Sequence, residues 1–146
     1  MCMMLYLATR TDVPLRSSKE LRIEDPNPAA DPVRRWFSLP CVHFVGAHTG
    51  CSCGFPSVSA AVPIEYFPGM LDDHPERDAD LGSVEALLAL IAELISRDTE
   101  VQLYPVWNGE EGEPPKGTIE MAVDELSAER FFFNERFFYR ITRGAV

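Results

Sequence analysis

Three of the chain's four cysteines and two of its three histidines fall between Cys41 and Cys53. Cys41 and His43 are two apart, so on a strand their side chains share a face. His48, Cys51 and Cys53 follow within His48-Thr49-Gly50-Cys51-Ser52-Cys53-Gly54-Phe55, a turn by composition. Thiolate and neutral imidazole are the usual zinc ligands, and a structural zinc site closes with four of them. Cys41, His43, His48, Cys51 and Cys53 are therefore candidate metal ligands, with zinc the ion that suits them. Their spacing, Cys-x-His and then His-x2-Cys-x-Cys, lacks the paired Cys-x2-Cys knuckles of a zinc finger, so donor type alone carries this reading.

The same segment supports one other kind of chemistry, that of a thiol enzyme, and one reading with none. Cys51 or Cys53, close in sequence to His48, could be acidified by an ion pair and act as a reactive thiolate. The amides of Gly50 to Gly54 could form an anion-binding nest beside it. No third, orienting residue is apparent, which a nucleophilic site needs. The plainest reading is architectural: small thiols behave as hydrophobes, and Gly50 and Gly54 serve a turn with positive φ. On that reading the chain is a non-catalytic binding or structural domain.

Cys2 is a further candidate. Removal of Met1 would leave its thiol and α-amine on one residue, the nucleophile-and-base pairing of N-terminal nucleophile enzymes. Residues 1–8 resemble the start of class II glutamine amidotransferases. Met3 stands where those families place glycine or another characteristic residue, and their downstream arginine and Asn-Gly motifs have no counterpart. Two acidic groups complete the survey. Asp72, Asp73, His74, Asp78 and Asp80 lack the regular spacing and glycine of a calcium loop and read as a solvated loop, as do Glu110, Glu111 and Glu113.

Over most of its length the chain resembles a family of short bacterial proteins. The resemblance rests on Met1-Cys2-Met3-Met4-Leu5-Tyr6, on the 48–55 motif, and on the Val101–Trp107 strand with its acidic loop. It implies a cytosolic bacterial protein and no assigned reaction.

Charge narrows the partners. Lysine and arginine number 13 against 23 acidic residues, a net charge of −10. Arg34-Arg35, Arg130, Arg136, Arg140 and Arg143 form no basic stripe, so nucleic acid and anionic membranes are poor partners. No apolar run reaches the ~18 residues of a membrane span. Met1–Ala8 lacks the basic start of a signal peptide. A cytoplasmic, reducing location and free thiols are the expectation.

These residues need a scaffold, and 146 residues make one domain's worth. Met1–Ala8 is apolar on both faces and should be a central strand. Residues 9–35, broken by Pro14, Pro26, Pro28 and Pro32, read as a surface excursion with a short strand near Leu21–Ile23. Cys41–Gly46 and Ala60–Phe67 read as strands, the latter at an edge because of Pro63. Val84, Leu87, Leu88, Ile91, Leu94 and Ile95 form one stripe at three-and-four spacing, a helix over about 83–97 capped by Ser83. Val101–Trp107 is a strand that Pro105 should place at an edge or a bulge. Ile119, Met121 and Val123 alternate as on a half-buried strand. Phe131–Phe133 and Phe137–Ile141 form two short strands or one bent one. Their aromatic rings are core, with one face free to pair two copies of the chain. One helix among non-alternating strands predicts an α+β fold with a mainly antiparallel sheet.

Overall fold

The structure, a computed structural model, describes residues 2–67, 69–70 and 75–144. Nine strands are present among them: β1 Met3–Thr9, β2 Arg16–Ser17, β3 Arg22–Glu24, β4 Cys41–Gly46, β5 Ser57–Val58, β6 Glu100–Trp107, β7 Gly117–Ala122, β8 Phe133–Asn134 and β9 Phe137–Thr142. One α-helix, α1, runs Arg77–Arg97. Seven strands form the main sheet in the order β2-β3-β4-β1-β6-β9-β7. Its pairs are antiparallel except β7 with β9, at one edge. The fold is α+β with a mainly antiparallel sheet, as the patterning predicts.

The first strand is the middle one of the seven, and its composition explains why. Leu5 and Leu7 are fully buried in the core beneath α1, with Val45, Val101, Leu103 and Ile141. Tyr6 and Ala8, on the other face, are buried with Phe44, Tyr104 and Val106 beneath the 3-10 segment Pro28–Trp36. A strand apolar on both faces is stable only where both are covered. All of the covering segment but Trp36 lies inside the 9–35 stretch whose prolines suggest a surface excursion. Its proline count obscured the inward side chains Ala30 and Val33. The expected strand near Leu21–Ile23 is β3, with Ile23 buried.

Four expectations need correction. The helix begins at Arg77, not near Ser83. Asp78 and Asp80 in its first turn favour the positive end of the helix dipole. Ser83 is a buried interior residue whose Oγ accepts the His48 N–H at 3.0 Å, so it anchors a loop instead of capping the helix. Ala60–Phe67 forms no strand. Its backbone is held in part by a side chain: Asn134 Oδ1 accepts the Ile64 N–H at 2.9 Å, and Asn134 Nδ2 donates to the Ile64 carbonyl at 3.3 Å. Pro105 lies in β6, an interior strand. The Pro105 carbonyl accepts the Arg136 N–H at 2.7 Å, so its nitrogen faces the same side, where the ladder to β9 already ended at Leu103. The missing donor therefore breaks no rung. Finally, Asp80 and Glu111 are buried and do not belong to solvated loops.

The two aromatic runs do split into two short strands in different sheets, β8 and β9, with only Phe133 of the first run in β8, which pairs β5 in parallel. Phe131, Phe132, Phe133, Phe137, Phe138 and Tyr139 are all buried within the chain. Asp72, Asp73 and His74 lie outside the described residues. None of the described helices is long and apolar enough to cross a membrane.

Candidate functional site: three thiols at one end of the central strand

The antiparallel β1–β4 ladder ends at Leu5 opposite Val45. The residues just before β1 must therefore run alongside those just after β4. The turn leaving β4 is shaped by backbone bonds, Gly50 N–H to the Ala47 carbonyl at 2.9 Å and Ala47 N–H to the Cys51 carbonyl at 2.8 Å. Gly50 takes a φ of 87°, which costs a side-chain-bearing residue strain. A short 3-10 turn, Ser52–Gly54, then lies against β1. The Ser52 hydroxyl accepts the Leu5 N–H at 2.7 Å and donates to the Val45 carbonyl at 2.6 Å, tying the turn to both strands. Cys53 Sγ accepts the Met3 N–H at 3.3 Å.

These bonds bring Cys2 to the turn. The sulfurs of Cys2, Cys51 and Cys53 lie within 4.8 Å of one another. Cys2 and Cys53 are exposed and Cys51 is half-buried. Their electrostatics differ. Burial pushes the Cys51 thiol up, but hydrogen bonds from Thr49, the Cys53 backbone, and the Cys53 and Cys2 thiols outweigh it and leave it below the usual cysteine value. Thr49 Oγ1 is 3.5 Å from Cys51 Sγ. Cys53 is pushed up to about 11, by burial first and then by its neighbours Cys51 and Cys2, against the lowering bond from Met3.

The other candidate ligands lie elsewhere. His48 Nε2 is 2.7 Å from Asp80 Oδ1 on α1, and Glu76 completes a group of three whose ligand atoms lie within 4.8 Å. His43 is 4% exposed; its Nε2 is 3.4 Å from Asp12 Oδ1, and its Nδ1 has no hydrogen-bond partner. Cys41 Sγ donates to the Arg10 carbonyl at 3.6 Å. Among the described residues, neither Cys41 nor His43 belongs to a group of three potential ligands at that separation. The five candidate ligands thus do not converge: Cys51 and Cys53 lie together, while His48, His43 and Cys41 each have other partners. Its place in the sequence marks Cys2 only as a nucleophile; the β1–β4 register places it beside the turn.

Gly54 has a packing role and not the positive φ expected of it. A Cβ there would lie 2.7 Å from Ala47 Cβ and 2.9 Å from His48 Cδ2. Ala47 is buried and cannot yield, so Gly54→Ala should destabilise the fold by about 1–3 kcal/mol, the usual cost of overpacking. Urea unfolding would check this; an unchanged midpoint would mean that the turn is free to shift.

No family model matches the chain, and neither the curated proteins nor the solved structures hold a match to it.

Proposed function

We propose that this chain is a non-catalytic metal-binding domain, holding one thiophilic ion, zinc or copper(I), between Cys2, Cys51 and Cys53. The convergence of three sulfurs from two distant parts of the chain carries the reading. Thiolates select these soft or borderline ions, and three protein ligands leave a coordination position open. Two of the three cysteines are exposed residues, so the site suits an ion that must arrive and leave. His48 is held by Asp80 and does not supply the fourth donor in this arrangement. A reducing cytoplasm would keep the three thiols available.

Protein purified without chelator and under reduction should carry about one ion per chain by elemental analysis. Added metal should shield Cys2, Cys51 and Cys53 from alkylation and leave Cys41 unaffected. Metal-free protein whose three thiols gain no protection from either ion would overturn the reading.

One observation favours a second reading, thiol–disulfide exchange. The Cys51 thiol is shifted down and that of Cys53 up, which separates an attacking thiolate from a protonated neighbour. In metal-free protein, iodoacetamide should modify Cys51 first near neutral pH. Its rate should plateau below the pH at which an ordinary cysteine does, because the thiolate is the reacting form. Cys53 should reach half its limiting rate only near pH 11. Mass mapping of timed reactions reads both. Equal rates at the two cysteines throughout would remove this reading and leave the metal site untouched.

A further inference from the structure

A second site lies on the other face of β1. A cavity of about 400 Å3 opens between that strand, the turn before the 3-10 segment, and the loop after β6. Met4, Tyr6, Ala30, Asn27, Asn108 and Glu111 are among its lining residues. Its volume is within the range of small-molecule pockets.

The carboxylate of Glu111 is the unusual feature. The residue is 5% exposed. Its Oε2 accepts the Tyr6 hydroxyl at 2.9 Å, and its Oε1 accepts the Gly109 N–H at 2.8 Å. Both donors are neutral. No lysine, arginine or histidine forms an ion pair with Glu111 among the described residues. A carboxylate has about four acceptor positions, and buried charge is ordinarily paired. Glu111 has one neutral donor on each oxygen and no paired cation among the described residues, so it could accept further donors and a positive charge.

The carboxylate helps to hold its loop through Tyr6 and Gly109, and other bonds hold the loop as well. The main-chain carbonyl of Glu111 accepts the Trp36 Nε1–H at 3.0 Å, and that of Glu113 accepts the Tyr104 hydroxyl at 2.8 Å. Backbone bonds from Glu110 to Trp107 and from Glu113 to Glu110 close the turns. Besides these roles, Glu111 lines the cavity. The net charge of −10 also draws cations toward the surface.

We infer that this cleft binds a small organic cation, a primary ammonium or guanidinium group, through the carboxylate of Glu111. Such a group donates several hydrogen bonds from one positive centre and so supplies both further donors and a positive charge. Asn27 and Asn108 flank it with amides, and Met4 and Ala30 receive a short apolar stem.

Amide-resolved NMR titration of the full chain tests this with butylammonium, methylguanidinium and, as an anionic control, acetate. Saturable shifts at Gly109, Asn108 and Ala29 are expected with one or both cations and none with acetate. Glu111→Gln should weaken binding at least about tenfold, since a charge-assisted bond becomes a neutral one. Ala29 is exposed and lines the cavity, so Ala29→Met should block binding while leaving the carboxylate in place. Linear, unsaturated shifts into the millimolar range, or affinities equal in both variants and the parent chain, would overturn the assignment.

Discussion

Serine in place of Cys51 is expected to lower the affinity for zinc or copper(I) at least about a hundredfold while the fold persists. A complete thiolate–imidazole zinc site is worth roughly 10–16 kcal/mol across four ligands, so one ligand accounts for about 3 kcal/mol or more, a factor of about 100. Cys51 is the sharpest choice of the three because hydrogen bonds from Thr49 and the neighbouring thiols favour its ionised form. It is half-buried, and a hydroxyl of similar size leaves the packing nearly unchanged. Cys41→Ser is the matched control, since Cys41 bonds the Arg10 carbonyl and belongs to no such cluster among the described residues. Competition against a chromophoric chelator under reducing conditions measures both. The proposal predicts a large loss for Cys51→Ser, comparable losses for Cys2→Ser and Cys53→Ser, and parent affinity for Cys41→Ser. Equal affinities in all four variants would place the metal elsewhere. Because the bound form needs deprotonated sulfur, affinity should also fall as pH is lowered, as protons compete for the ligands.

Ser52→Ala is expected to destabilise the fold by about 2–5 kcal/mol, a large loss for removal of a single oxygen atom. Leu5 and Val45 are the last register partners of the β1–β4 ladder, and the Ser52 hydroxyl bridges the N–H of one to the carbonyl of the other. The serine is fully buried, so water does not readily take the hydroxyl's place. Each buried polar group left without a partner costs about 1–3 kcal/mol, and this substitution strands two. The same hydroxyl holds the turn that carries Cys51 and Cys53 against β1. Metal affinity should therefore drop alongside stability, although no ligand is removed. Urea unfolding of metal-free protein isolates the structural part. A loss below about 0.5 kcal/mol, the scale of an ordinary surface substitution, would mean that the two strands close on each other once the hydroxyl is gone.

How far the residues predict their own placement depends on whether the deciding interaction is local. The hydrophobic stripe of α1 is local, and five of the six residues the spacing selects, Val84, Leu87, Ile91, Leu94 and Ile95, are buried; Leu88 is half-buried, and Leu90, which the spacing passes over, is buried too. The start of the helix is not. Ser83 has the chemistry of a cap, but its hydroxyl is taken by the backbone of His48, far away in sequence. Glu111 stands in an acidic, glycine-rich loop that any compositional reading assigns to solvent. A tyrosine on the central strand and the indole of Trp36 turn it inward.

By itself the amino-acid sequence determined the α+β class, the central place of the first strand, the principal helix, and the 41–55 region as the one densest in ligating side chains. Those follow from side-chain periodicity and type, which act over a few residues. Only the tertiary structure decided which of those side chains meet. The β1–β4 register carries Cys2 to Cys51 and Cys53, Asp80 of α1 draws His48 aside, and Asp12 and Arg10 face His43 and Cys41. Spacing along a chain constrains geometry only within one element. Across elements the distance between two sulfurs is fixed by strand pairing and by the hydroxyl of Ser52 that ends the ladder, and neither leaves a local mark in the sequence.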